Sequence, residues 1–208
     1  MSEEPVAARP RPRPRVKAET ARSEILAAAA GMMRRVGYAD MSLRDLAAQV
    51  NMKAGSLYYH FASKDELATE VMRIGVEAVE SSVREGLATS GARTPEERLL
   101  VAVRIHLETL LKKSDFVSSH IRCYPFVPQT VRDQLRTVRR SYDQVWLGLI
   151  SDYLGPGATK EQIGYLRHIL IGALNGSLEW FNPNRDSITA YARQIEALLA
   201  GPAAQKRG

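Results

Sequence analysis

One cysteine, Cys123, stands in a chain of 208 residues. That excludes an internal disulfide framework and fits a reducing compartment. No apolar run approaches the roughly 18 residues that a membrane-spanning helix needs. The opening "MSEEPVAARPRPRPR" lacks the apolar stretch of a secretory signal. A cytoplasmic protein is the expectation. No segment alternates polar and apolar residues for long, so no strands are expected. Nucleophile elbow, phosphate loop and glycine-rich dinucleotide turn are all missing. Neither an enzyme nor a cofactor is therefore expected. His120 and Cys123 lie three apart, but a third ligand is absent nearby and His106 is distant in sequence, so no metal site is expected.

What is present is an ordinary globular composition, 45% hydrophobic and 25% charged, long enough for one domain of usual size plus a smaller one. The net charge of +6 is uneven. Residues 1–64 hold eleven Lys and Arg against six Asp and Glu, and the remainder is nearly balanced. A positive field at one end points to an anionic polymer or an anionic surface as partner.

Residues 1–18, rich in Pro, Ala and Arg, read as a disordered arm. Its arginines make it either a solvating tail or a phosphate and minor-groove contact. From Glu19 the pattern is helical almost to the end. A first helix follows Thr20 and stops at Gly37, with Ile25, Leu26, Ala29, Met32, Met33 and Val36 on one face. Ser42 caps a second helix, Asn51 suits the left-handed turn after it, and "AGSLYYHF" forms a short third. Ser63 and Glu66 make a capping box for a fourth helix reaching about Leu87, with Gly75 and Gly86 as weak points where it could bend. Further helices are expected near 95–112, over a broken stretch near 114–126, and at about 129–154, 159–181 and 187–200. A disordered tail follows at 202–208.

Two helices of about eight residues joined by a three-residue turn have the shape of a helix-turn-helix. Leu57 and Phe61, four apart, would face the core. Tyr58 and His60 would then point elsewhere, toward phosphate oxygens. Gly55 and Ser56 are small enough for close approach to a groove. Arg44 can reach a phosphate or a guanine edge, and Lys64 sits at a helix N-terminus that favours phosphate.

The run "ILAAAAGMMRRVGYADMSLRDLAAQVNMKAGSLYYHFASKDEL" resembles the N-terminal domain of the TetR family of bacterial transcriptional regulators. The resemblance spans residues 20–68 and includes the signature "LYYHF.SK..L". It implies an all-α fold, with a helix-turn-helix domain at 19–66 joined by a long helix to a helical ligand-binding and dimerisation domain at 67–201. It places Ser42 and Arg44 at phosphate or base, Lys53, Ala54, Gly55 and Ser56 at the reading end of the third helix, and Tyr58, Tyr59 and His60 at backbone and groove. Lys64 would pin a phosphate. Ala54 offers no hydrogen bond, so readout would lean on Arg44, Lys53 and Ser56. The implied activity is that of a repressor: a homodimer on a palindromic operator of double-stranded DNA, released by a small-molecule effector.

The segment "EQIGYLRHILIGALNGSLEWF" is apolar nearly all round and should pack on two sides. The resemblance makes the last two helices a dimer interface, with Ile163, Leu166, Leu170, Leu174, Ile188, Tyr191 and Ile195 as candidates. Burial within one chain is the alternative. For the effector the candidates are His106, Tyr124, Phe126, Tyr142 and Trp146. Arg132, Arg136, Arg139 and Arg140 share a face, as a solvated stripe or as the seat of an anionic effector such as an acyl-coenzyme A. A helical module on anionic membranes is the competing class. It calls for an amphipathic Lys/Arg–Leu helix, which Ala-rich residues 20–36 do not offer.

Overall fold

The computed structural model describes residues 14–112 and 114–200. Among them there are helices and turns and no strand. Ten α-helices run in order: α1 (Pro14–Asp40), α2 (Leu43–Gln49), α3 (Ala54–His60), α4 (Lys64–Thr89), α5 (Pro95–Lys112), α6 (Asp115–Cys123), α7 (Gln129–Gln134), α8 (Arg136–Leu154), α9 (Lys160–Trp180) and α10 (Ile188–Ala200). A 3₁₀ turn, Tyr124–Phe126, joins α6 to α7.

Residues 1–13 of the proposed arm lie outside the described residues. Its last five residues are described within α1, from Pro14 on. Near the far end Gly37 takes φ 81° and bends the helix. Ile25, Leu26, Ala29, Met32 and Met33 are buried as expected, whereas Val36, one residue before the bend, is exposed.

The local signals at the helix-turn-helix act as anticipated. Ser42 Oγ accepts the Asp45 N–H, and Asn51 turns the chain at φ 54°. Ser63 Oγ accepts the Glu66 N–H at 3.1 Å. The return bond of Glu66 goes to the Ala62 N–H, 2.8 Å, one residue earlier than in the usual box.

Helix α4 is about 39 Å long at 1.5 Å per residue. It buries Leu67, Val71, Gly75, Val79 and Val83 at four-residue spacing, with Ala68, Met72 and Val76 beside them. Its two glycines are packing positions rather than weak points, and the helix is continuous through both to Thr89. A Cβ on Gly75 would lie 2.3 Å from the carbonyl oxygen of Phe116. One on Gly86 would meet the Ile105 side chain. The glycines thus let α6 and α5 approach closely.

One apolar core joins α1–α4 to Cys123, Val127, Val131 and Leu135. A second holds Val83, Leu99, Leu107, Trp146, Leu149, Ile150, Leu170, Leu174, Ile188 and Ile195. Val79, Leu110 and Val117 lie between them in a small cluster. Helix α4 contributes to all three. The single helix expected at 129–154 is two, α7 and α8, meeting at Leu135 (φ −83°, ψ −7°), whose side chain is fully buried in the first core. Helix α8 ends at Gly155, φ 81°.

Candidate nucleic-acid interface and effector cavity

In α3 only Leu57 is buried. Around it Lys53, Ala54, Gly55, Ser56, Tyr58 and Tyr59 are exposed, Tyr58 by 54% and Tyr59 by 84%. Phe61, which ends the helix, is fully buried, with the Arg22 guanidinium 4.9 Å from its ring centroid. Leu57 and Phe61 therefore anchor one side of α3, and the rest of its surface is free. His60 is half-buried, and Tyr59 meets it edge-on at 5.4 Å. Gly55 has open space where a Cβ would sit. Arg44 is exposed in the first turn of α2, beside half-buried Ser42.

Lys64 has a further job that its position in the sequence did not reveal. Its Nζ donates to the Ala39 carbonyl at 2.8 Å and lies 4.5 Å from the Tyr38 ring centroid. The Tyr38 hydroxyl donates to Asp65. Burial first, and then that carboxylate, push the phenol's pKa up to about 12. Lys64 and Tyr38 thus tie the end of α1 to the start of α4. An ammonium has three donors, so the bond to Ala39 leaves capacity for a phosphate.

A cavity of about 220 Å³ lies among α4, α5, α6, α8 and α9. His106, Tyr124, Tyr142 and Trp146, four of the five expected effector residues, line it. Phe126 does not. It ends the 3₁₀ turn Tyr124–Phe126 and is 74% exposed. Asn175 Oδ1 accepts the Nε2–H of His106 at 3.0 Å, so Nδ1 accepts the Tyr142 hydroxyl proton at 2.7 Å. Burial pushes the His106 pKa down to about 4 against the Asn175 bond, and raises that of Tyr142. Val76, Val79, Val117, Ile121 and Ile171 give the apolar wall.

The arginine stripe divides. Arg139 turns toward the cavity: its guanidinium carbon is 3.6 Å from the Tyr124 ring centroid, and Nη1 donates to His120 Nε2 at 2.8 Å. Arg132, Arg136 and Arg140 line an open groove outside, where Arg136 pairs with Asp133 and Arg132 donates to Gln129. Cavity and groove share Tyr124, Arg139 and Asp143 in their walls. Sequence reasoning missed His120, Asn175 and the Arg167–Asp143 ion pair as wall residues. In the sequence His120 stands out only by its spacing from Cys123, and nothing in the local pattern brings Asn175 to His106.

The interface candidates need correction. Leu170, Leu174, Ile188 and Ile195 are buried in the chain's own second core. Ile163, Leu166 and Tyr191 are half-buried against it, and the Tyr191 hydroxyl donates to the Ala173 carbonyl at 2.9 Å. Besides the exposed polar residues Glu161, Gln162, His168 and Glu179, α9 turns outward Tyr165, Ile169, Gly172, Ala173, Gly176 and Trp180, with Tyr165 exposed by 70% and Ile169 by 66%. These recur at i, i+4, i+7, i+8, i+11 and i+15, one helical face. Space is open at both glycines.

The sequence profile of bacterial regulatory proteins of the tetR family matches residues 25–71, and that of the tetracyclin repressor-like C-terminal domain matches residues 92–201. The chain belongs to the TetR family. This TetR-family regulator is 23% identical over 193 residues to the HTH-type transcriptional repressor KstR2 of Mycolicibacterium smegmatis, covering 90% of this chain and 92% of that one. A TetR-family regulator from Bordetella parapertussis shares its fold at a TM-score of 0.76, with 22% identity over 88% of this chain and 95% of the other. AibR in complex with isovaleryl coenzyme A and operator DNA does so at 0.74, with 20% identity over 86% and 97%. Among the described residues no helix is long and apolar enough to cross a membrane. Nor does any group of three or more His, Cys, Asp or Glu there suit a metal.

Proposed function

We propose that this TetR-family chain is a repressor that binds a pseudo-palindromic operator as a homodimer and is released by an acyl-bearing small molecule held in the cavity. The observation that carries the DNA-binding part is α3, whose one buried residue leaves Lys53–Ser56, Tyr58 and Tyr59 free around it. The apolar face of α1 is committed to the core, which removes the amphipathic surface that a membrane reading would need. Arg44, Lys53 and Ser56 read base edges. Ser42, Tyr58, Tyr59, His60 and Lys64 position the protein on the backbone. A seven-residue recognition helix is about 10 Å long, too short for an operator on its own. Two-fold pairing through the outward face of α9 supplies a second copy, with recognition helices about 34–36 Å apart.

For the effector, an apolar cavity that shares its wall with an arginine-lined groove suits an acyl chain inside and phosphates outside. The likeness to AibR, solved with isovaleryl coenzyme A, supports that class. Helix α6 lines the cavity with Val117, His120 and Ile121 and touches the DNA-binding unit on its other sides. There Cys123 Sγ–H donates to the Met33 carbonyl, and Asp115 pairs with Arg34 at 2.7 Å. An effector that moves α6 therefore moves α1, and through Gly75 it moves α4.

Selection of bound DNA from a random pool should return an inverted repeat. Isovaleryl-coenzyme A should then weaken operator binding by about 5–150-fold, the usual range of such couplings, and operator DNA should weaken the effector by the same factor. An effector constant that ignores operator DNA would show the two sites to be uncoupled. Lys64→Ala should weaken binding to all sequences alike and lower the salt slope by about one, whereas Arg44→Ala and Ser56→Ala should alter base preference. A changed base preference with an unchanged slope in the Lys64 variant would reverse that assignment.

A further inference from the structure

Two helices leave the effector cavity at the same level. Helix α4 lines it with Gly75, Val76 and Val79 and, one turn on, enters the second core at Val83. Helix α8 lines it from Arg139 to Trp146 and, one turn on, places Ile150 in that core. The two run side by side, with the Ser141 hydroxyl donating to Glu80 at 2.7 Å. Trp146 belongs to both regions, as a wall of the cavity and as a fully buried member of the core. The opposite end of the cavity is the side whose Tyr124, Arg139 and Asp143 it shares with the arginine groove. The cavity therefore has a mouth at Arg139 and a floor at Trp146. Along α8 they are about 10 Å apart at 1.5 Å per residue.

The floor is held in place. The indole meets the His106 ring edge-on at 5.8 Å and the Tyr142 ring edge-on at 6.3 Å. Those two rings stack at 6.0 Å and are hydrogen-bonded to each other, and His106 is bonded to Asn175 as well. Leu149 and Ile150 belong to the core behind. Protein cores are close-packed, and forcing extra methylenes into one is unfavourable. A bound chain cannot push the indole aside without disturbing that core. An engineered cavity of about 150 Å³ holds the six carbons of benzene, so about 220 Å³ takes roughly eight or nine.

We propose that Trp146 is the specificity-determining residue of the effector site, a floor that limits the acyl group to about eight or nine carbons. This deepens the effector reading above and rests on it. Each methylene buried on the way to the floor adds affinity. One more must displace the indole or stay in the mouth. Trp146 thereby admits short branched and medium-length acyl groups and turns away long chains.

The probes are the coenzyme A thioesters of isovaleric, hexanoic, octanoic, decanoic and dodecanoic acid, titrated calorimetrically into the full chain. In the native protein affinity should rise about fourfold per methylene from hexanoyl to octanoyl, and dodecanoyl should bind no more tightly than octanoyl. Protein NMR of the octanoyl complex should show the terminal methyl against the Trp146 indole. In Trp146→Leu decanoyl should bind about tenfold more tightly than octanoyl. Isovaleryl, too short to reach the floor, should keep its native affinity there and so reports an intact site. Trp146→Phe, a smaller cut in the same core, should shift the optimum the same way by less, and it serves where the leucine variant unfolds. A gain of about 100-fold from octanoyl to dodecanoyl in the native protein, close to full burial of the four added methylenes, overturns the floor and leaves the cavity standing as the effector site. An optimum unmoved in the variants, with isovaleryl affinity retained, overturns the role of Trp146, as does an octanoyl methyl far from the indole. Binding of none of the thioesters overturns the effector reading and this one together.

Discussion

A glutamate in place of Ile169 should separate the proposed dimer and remove most operator affinity. Ile169 is 66% exposed in the single chain and lies at the centre of the outward face of α9. Exposed substitutions usually shift stability by no more than about 0.5 kcal/mol, so each protomer should fold as before. Two-fold symmetry would bring the two new carboxylates near each other on a surface with open space at Gly172 and Gly176. Like charges facing one another across an apolar contact are disfavoured. Losing the second half-site forfeits an avidity of about 10²–10⁴-fold. Light scattering should report a monomer with an unchanged circular dichroism spectrum, and operator titrations should show the loss. A dimer of native affinity would move the interface elsewhere.

Phe61→Ala should be the most destabilising single change around the DNA-binding unit. Phe61 is fully buried, its N–H donates to the Leu57 carbonyl at 3.0 Å, and Arg22 lies over its ring. Truncating a buried phenylalanine costs about 3–5 kcal/mol, from lost transfer energy and the cavity left behind. Total stabilities run about 5–15 kcal/mol. For a chain of this size each kcal/mol shifts Tm by about 2–4 °C, so a fall of about 6–20 °C is expected by calorimetry. The ring also fixes how α3 leaves the core, so operator affinity should drop even at temperatures where the variant is folded. A Tm within a degree or two of the native value would mean that the pocket collapses without penalty.

The sequence signals that proved reliable were local ones. Ser42 and Ser63 cap because their hydroxyls sit beside free N–H groups, Asn51 turns because it tolerates positive φ, and Leu57 and Phe61 meet because four residues bring them to one side. Each of these depends on neighbours within a single turn of chain. The errors share another origin. The periodicity from Gln129 to Leu154 continues across Leu135, and only the pull of that side chain into the first core interrupts the helix. Gly75 and Gly86 read as hinges until α6 and α5, brought there from about 40 and about 20 residues away, fill the space beside them. Helix α9 is apolar all round, so its pattern could not tell which side its own core would take. Leu170 and Leu174 went inward, and Ile169 was left outside. An aromatic residue suggests a pocket, but the 3₁₀ turn that Phe126 ends faces it to solvent.

Cys123, Val127, Val131 and Leu135 close a core otherwise built from α1–α4, and this has a consequence during synthesis. The helix-turn-helix leaves the ribosome with its apolar inner face uncovered. About sixty residues separate Met72 from Leu135, and at about 5–20 residues per second that face waits roughly 3–13 s for its cover. A nascent chain stalled before residue 117 should therefore be protease-sensitive throughout α1–α4 and should bind chaperones, whereas one stalled after α7 has emerged should protect them. The same dependence means that the DNA-binding unit cannot be moved as a cassette ending at residue 66. A chimera that kept these helices on a foreign effector domain would have to bring α6 and α7 along with them.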